Sequence, residues 1–94
     1  MSYTLVRVKF EDYEKWRVVF DDAASLRKSF GSLGVRVFRI ADKPDEAIIL
    51  GEYQDMERAR HLFNFPEFRI VTQRAGLVEP PDVDFLIDSG SLPS

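Results

Sequence analysis

VRVFRIADKPDEAIILGEYQ, residues 35–54, is the stretch that decides how the chain folds. Two runs rich in β-branched, aliphatic and aromatic side chains, residues 35–41 and 47–54, flank a polar connection that contains Pro44. Such runs favour strands, and a short polar connection between them favours a hairpin. The segment Ala47-Ile48-Ile49-Leu50 is apolar at every position, so we expect both faces of this strand to be covered.

Two more strands are predicted toward the ends of the chain. Residues 3–10 alternate in character, which places Val6, Val8 and Phe10 on one face. Residues 83–87 alternate in the same way. The sheet is therefore expected to have four strands.

Helical regions fill the gaps between these strands. One helix is expected to begin after Asp12, whose carboxylate can accept the free amides of the first turn, and to end at Gly31. A short helix capped by Asp55 comes after the hairpin, and another opens with Pro66 and stops at Gly76.

The resulting element order, βαββαβ, predicts the α+β class with a ferredoxin-like topology. In that topology a four-stranded antiparallel sheet carries its helices on one face. With 94 residues the chain is too short for two cores. We expect one domain over residues 1–88 and a flexible C-terminal tail over residues 89–94.

Composition excludes several function classes. The chain has 13 Lys and Arg against 16 Asp and Glu, a net charge of −3, which argues against a nucleic-acid partner. It has no cysteine, and hence no disulfide, thiolate nucleophile or sulfur-ligated zinc. Neither a signal peptide nor a long apolar run is apparent, so we expect a cytoplasmic protein without a membrane partner.

With the helices on one face, the other face of the sheet would expose an apolar patch. Its expected members are Tyr3, Leu5, Ile49, Tyr53 and either Phe85 or Leu86. A monomer seldom tolerates more than about 400 Å² of such surface. The pattern predicts a homodimer packed sheet on sheet about a two-fold axis. The alternative is that the helices and the tail wrap the sheet more fully.

Several short motifs together suggest a family. The first helix opens with DYEKW at residues 12–16 and continues with Phe20-Asp21 and Arg27, and the second strand reads GVRVFR at residues 34–39. Ala59, Pro66-Glu67, Ala75-Gly76 and Pro80-Pro81 complete the set. The chain thereby resembles the dimeric α–β barrel superfamily, and within it small proteins similar to antibiotic-biosynthesis monooxygenases and cyclases. The resemblance implies a dimeric barrel with a cavity between each sheet and its helices, but it assigns no reaction.

Three candidate site residues share a stripe of the first helix. Trp16 and Phe20 are expected either to pack in the core or to form the apolar wall of a ligand site. Arg27 falls on the same stripe, and a buried guanidinium needs a partner. That partner is an anionic ligand or a carboxylate such as Glu52 or Asp84, unless the side chain reaches solvent.

Arg39 and Tyr53 are the candidates on the strands. Arg39 either faces the ligand or keeps an edge strand from pairing with other chains. Carboxylates and the single histidine, His61, lack the spacing of a metal site, and no glycine-rich phosphate loop is present. We therefore expect neither a metal nor another cofactor, and no catalytic residue can be named.

Three functions stay open. The first is a binding protein whose cavity holds a small aromatic or weakly anionic ligand. The second is an enzyme, either a cofactor-independent monooxygenase or a cyclase/isomerase, acting on a polyphenol-like or polyketide-like aromatic. The third is a structural dimerisation module without a ligand.

Overall fold

A computed structural model describes all 94 residues and confirms the ferredoxin-like α+β fold. In chain order the elements are β1 (Ser2–Lys9), α1 (Tyr13–Asp22), α2 (Ala24–Ser29), β2 (Ser32–Ile40), β3 (Lys43–Tyr53), α3 (Met56–Asn64), α4 (Pro66–Arg74) and β4 (Asp82–Ile87). The four strands form one antiparallel sheet in the order β2-β3-β1-β4, with the helices on one face. No helix is both long enough and apolar enough to cross a membrane.

The hairpin of β2 and β3 is tighter than its sequence suggests. The polar residues expected to form the connection begin β3 instead, and only Ala41-Asp42 remains as the turn. This extension is stabilised by β1, because Lys9 pairs with Glu46 and the Phe10 amide donates to the Asp45 carbonyl at 2.9 Å.

The helix predicted between β1 and β2 is in fact two helices that meet at Ala23, which adopts φ −85° and ψ 6°. At the break the Phe20 carbonyl accepts from the Ala23 amide at 3.2 Å and from the Arg27 guanidinium at 2.7 Å. A side chain thus helps to satisfy a carbonyl that the interrupted helix leaves open. The caps follow the sequence prediction: Asp12 accepts from the amides of Glu14 and Lys15, and Gly31 has φ +86°.

The core fills the space between the sheet and the helices. Its larger cluster comprises Val6, Val8, Phe10, Trp16, Ala47, Ile49 and Ala75, and a smaller one comprises Tyr53, Ala59 and Leu62. Ile49 and Tyr53 were expected on the opposite face, and that assignment is wrong. Ile49 pairs with Val6 and therefore points to the helix side, and Tyr53, four residues later on the same strand, points the same way.

The outer face of the sheet still carries an apolar patch. Partly exposed apolar pairs span adjacent strands on this face, namely Tyr3 with Leu86, Leu5 with Leu50, and Phe38 with Ile48. Phe85 belongs to the helix side, where its ring meets Phe63 edge-on at 5.8 Å. Residues 88–94 follow β4 without regular structure and are exposed.

Candidate functional site

A cavity of about 70 Å³ lies between the sheet and the helices. Its wall is apolar except for four side chains, those of Thr4, Arg27, Tyr53 and Thr72. A water molecule takes about 30 Å³ in the liquid, whereas sites for drug-sized ligands have roughly 300–1,000 Å³. A ligand larger than a few waters must therefore displace side chains as it enters.

One wall is an aromatic stack on α1. Trp16 is only 3% exposed, and its ring centroid lies 4.9 Å from that of Phe20 and 5.3 Å from that of Phe10. Trp16 and Phe20 are one helical turn apart, which brings their side chains together on one face. Trp16 is therefore a core residue that also borders the cavity, and its role as the wall of a ligand site stays a prediction.

Arg27 brings a positive charge to this apolar wall. Its Nη1 donates to the Phe20 carbonyl at 2.7 Å, and its Cζ lies 4.0 Å from the centre of the Phe20 ring. None of the ion pairs in the molecule includes Arg27. The expected pairing with Glu52 or Asp84 is wrong, because both carboxylates lie on the outer face of the sheet.

Burial lowers the pKa of Arg27, since desolvation disfavours the charged form, while the nearby oxygens of Tyr53 and Asp21 oppose the shift. A guanidinium keeps its proton near neutrality despite such a shift. The cavity wall therefore holds a positive charge that feels the nearby Asp21 carboxylate but forms no ion pair.

Tyr53 closes the cavity from the sheet side. It is 1% exposed, and burial raises its pKa to about 12, against the opposing influence of Arg27. Its hydroxyl is therefore protonated at neutral pH and can donate a hydrogen bond.

Gly51, which no pattern in the sequence marks, makes room for these groups. A Cβ atom on Gly51 would lie 2.7 Å from Thr4 Oγ1 and 3.0 Å from Tyr53 Cε1. Because Gly51 has no side chain, the side chain of Thr4, which is 2% exposed, and the ring of Tyr53 can both pack against the backbone of Gly51.

Arg39 does not line the cavity. It is exposed on the edge strand β2, with its Cζ 3.9 Å from the centre of the Tyr13 ring and its Nη2 donating to the Pro44 carbonyl at 3.2 Å. The structure thus brings Trp16, Phe20, Arg27 and Tyr53 together and leaves Arg39 apart.

The opposite wall comes from α3, α4 and the link to β4, none of which supplied a candidate in the sequence analysis. Its members are Leu62, Phe63, Phe68, Thr72, Ala75, Leu77 and Pro81. The helical spacing of Phe68, Thr72 and Ala75 was a usable signal for one inward face. No carboxylate or imidazole lines the cavity, so it can hold an anion and donate hydrogen bonds but offers no general base. No three or more His, Asp or Glu side chains converge as metal ligands would.

The fold is shared with proteins of known structure. No protein-family model matches the sequence, and no curated protein does. SnoaB from Streptomyces nogalater, described as a cofactor-independent oxygenase, superposes with a TM-score of 0.79 at 15% identity, covering 99% of this chain and 97% of that chain.

Two further solved structures agree with this result. Rv0793 from Mycobacterium tuberculosis superposes with a TM-score of 0.73 at 14% identity, covering 96% of each chain. A protein described as an antibiotic biosynthesis monooxygenase gives 0.69 at 11% identity, with 96% of this chain and 100% of that chain covered. The resemblance inferred from the sequence is confirmed at the level of fold. Identities this low carry no reaction with them.

Proposed function

We propose that the chain works as a homodimer that binds an aromatic molecule with an acidic hydroxyl group and oxidises it with O₂ without a cofactor. The observation that carries this proposal is the guanidinium of Arg27, which lies against an apolar cavity and has no carboxylate partner. Arg27 is partly buried, and a guanidinium that loses hydration without forming an ion pair is costly, so an anionic ligand would lower that cost.

The wall of the cavity suits the ring of such a ligand. The stacked rings of Trp16 and Phe20 offer a flat apolar surface, and Arg27 and Tyr53 offer donors to an oxygen atom at its edge. Because the wall has no base, the ligand must itself be acidic enough to ionise. A phenol or an enolisable ketone next to Arg27 meets that condition, since the positive charge favours its anion.

Oxidation of this anion needs no other reductant. A CH₂ group between two aromatic rings loses both hydrogens and gains one oxygen atom as a carbonyl. The second oxygen atom leaves as water, and the substrate supplies all four electrons. The protein's part is to stabilise the anion and to keep water away from the reacting carbon. The likeness to SnoaB, described as a cofactor-independent oxygenase, supports this choice of reaction.

Support for the homodimer comes from the outer face of the sheet. Its apolar centre, with Leu5 and Leu50 paired across β1 and β3, is flanked by Arg36 on β2 and Asp84 on β4 in the same row. Opposite charges at the two ends of one row can pair across a two-fold axis between copies.

Binding without oxidation is the second candidate, and the lack of a base in the cavity wall favours it. Oxygen uptake separates the two candidates. With a panel of hydroxylated anthrones, which carry such a CH₂ group, we expect one O₂ consumed per substrate oxidised, and a loss of at least about tenfold in the rate with Arg27→Met. Quenching of Trp16 fluorescence by these compounds without oxygen uptake would leave binding as the function. If none of these compounds quenches Trp16 fluorescence, both candidate functions, oxidation and binding, are contradicted.

The assembly is tested by light scattering. We expect a mass of about twice the 10.9 kDa of one chain, and the mass of one chain for Leu50→Lys, because a lysine there would lie in the interface. Exposed Glu67 on α4 provides the control: Glu67→Lys should keep the mass of two chains. A wild-type mass of one chain at micromolar concentration contradicts the dimer.

A further inference from the structure

A second and larger hollow lies beside the cavity. This outer groove, of about 570 Å³, runs between α4 and the link to β4. Five residues line both the outer groove and the inner cavity, namely Phe63, Phe68, Thr72, Leu77 and Pro81. The two spaces are therefore neighbours that share part of their walls.

We propose that the outer groove is the entrance compartment of the ligand site, that the Phe68 ring is its gate, and that the groove holds the polar part of an amphipathic aromatic ligand. This inference rests on the proposed function only for the premise that an aromatic ligand occupies the inner cavity.

The two sides of the groove differ in how firmly they are held. The link is fixed, because Pro80 and Pro81 restrict its backbone and the Val78 amide donates to the Lys9 carbonyl at 3.0 Å. Across the groove, α4 has no buried residue between Pro66 and Arg74, and no side chain caps its N-terminus. Few buried contacts mean a low cost of local movement, so α4 is the side that opens.

On α4 the shared wall consists of Phe68 and Thr72, and the Phe68 ring is the larger of the two side chains. This ring meets Phe63 edge-on with centroids 4.9 Å apart. Phe63 is held on its other side by Phe85 at 5.8 Å, and it contacts both core clusters. Phe63 is therefore expected to stay in place. A shift of α4 would move Phe68 away from Phe63 and connect the inner cavity with the outer groove.

The two compartments differ in polarity, and this difference defines the ligand. The deep wall of the inner cavity is apolar apart from Thr4, Arg27 and Tyr53, whereas the outer groove adds Arg69, Gln73 and Glu79. An aromatic ring belongs inside, and a polar substituent belongs in the groove. The combined space also resolves the mismatch between a cavity of about 70 Å³ and an aromatic ligand.

Stopped-flow fluorescence tests the route, because Trp16 is the single tryptophan of the chain and lines the inner cavity. The probes are 1-anilinonaphthalene-8-sulfonate and its uncharged analogue N-phenyl-1-naphthylamine, which quench tryptophan when they bind beside it. For Phe68→Ala we expect both the association and the dissociation rates to rise at least about tenfold, with a smaller change in Kd. Phe68→Leu should shift the rates in the same direction and serves if the alanine variant fails to fold.

Phe65→Ala is the matched control. Phe65 is an aromatic residue at the start of the same helix that pairs with Phe30, with centroids 5.1 Å apart, and it lines neither space. Its rates should stay within about twofold of the wild type. Unchanged rates in both Phe68 variants, with normal quenching, would overturn the gate.

The polar compartment has a separate readout. Arg69→Gln should weaken binding of the sulfonate probe, and Glu79→Gln should strengthen it, each by about threefold or more, with the uncharged probe unaffected. Arg74→Gln, on the same helix but outside the groove, is the control. Equal effects on both probes would overturn the assignment of the polar part to the groove. If neither probe quenches Trp16 in the wild type, both the proposed binding and the proposed entrance are contradicted. If only oxygen uptake is absent, oxidation is contradicted and the proposed entrance is not.

Discussion

The two faces of the sheet have similar apolar side chains but different surroundings. On the helix side Val6, Ile49 and Tyr53 are buried beneath α1 and α3. On the outer side Leu5 and Leu50, their immediate neighbours in the chain, remain partly exposed. Both faces carry aliphatic residues, but the outer face adds charged ones such as Arg36, Glu52 and Asp84, and helices cover only the inner face. Substitutions on each face measure that difference.

The largest effect is expected from Trp16→Ala. Removal of this buried ring should lower the free energy of unfolding by about 3–5 kcal/mol, because it leaves a hole in the larger core cluster. On the outer face Phe38, 42% exposed, is the comparison. Phe38→Ala should change the free energy of unfolding by no more than about 0.5 kcal/mol at the dilution where the chain is monomeric. Urea denaturation measures both, and equal losses would show that the two faces are buried alike.

A smaller effect is expected from Gly51→Ala. The added methyl group would lie 2.7 Å from Thr4 Oγ1, so it should cost about 1–3 kcal/mol of unfolding free energy through overpacking. Thr4→Ala removes Oγ1, the atom with which the added methyl group would clash. In a double-mutant cycle the two substitutions should therefore couple by at least about 0.5 kcal/mol, with Gly51→Ala cheaper when Thr4 is absent. Strict additivity would mean that Gly51 is free to accept a side chain.

At neutral pH the smallest effect, close to none, is expected from the ionisation of Tyr53, whose pKa rises from 10.0 to about 12 on folding. The native state holds this proton more tightly than the unfolded chain. Stability from this group is therefore complete below pH 10.0 and is lost as the pH rises toward about 12. The slope cannot exceed about 1.4 kcal/mol per pH unit.

Tyr53→Phe isolates this contribution from that of other groups that titrate in alkali. Denaturant unfolding at a series of alkaline pH values should show the wild type losing stability relative to the variant. Parallel curves for the two proteins would mean that the Tyr53 hydroxyl is open to water.

The sequence predicted those features that short-range signals determine. Asp12, Asp55 and Pro66 start helices where expected, because a cap acts on the amides of its own first turn. The hairpin was recognised from residues 35–54, although its turn is shorter than the polar segment suggested.

Features that depend on distant partners were missed or misplaced. The sequence prediction placed Ile49 and Tyr53 on the wrong face of the sheet. In a continuous apolar run, the residues that point inward can be identified only when the register with β1 is known. The break at Ala23 escaped prediction because the Arg27 side chain satisfies the Phe20 carbonyl there. Arg39 was grouped with the cavity by residue type, but its place at the end of an edge strand leaves it over Tyr13.

The strand order β2-β3-β1-β4 has a consequence for how the molecule folds. The hairpin of β2 and β3 closes over Ala41-Asp42 alone, whereas β1 joins β4 with Ser2 paired to Ile87, near opposite ends of the chain. Closing a long loop costs more entropy than closing a short one, so β4 is expected to dock late, after the hairpin has formed. The rate-limiting step of refolding should therefore be the non-local pairing of the terminal strands, and Pro81, which borders both the inner cavity and the outer groove, reaches its place only when that pairing is complete.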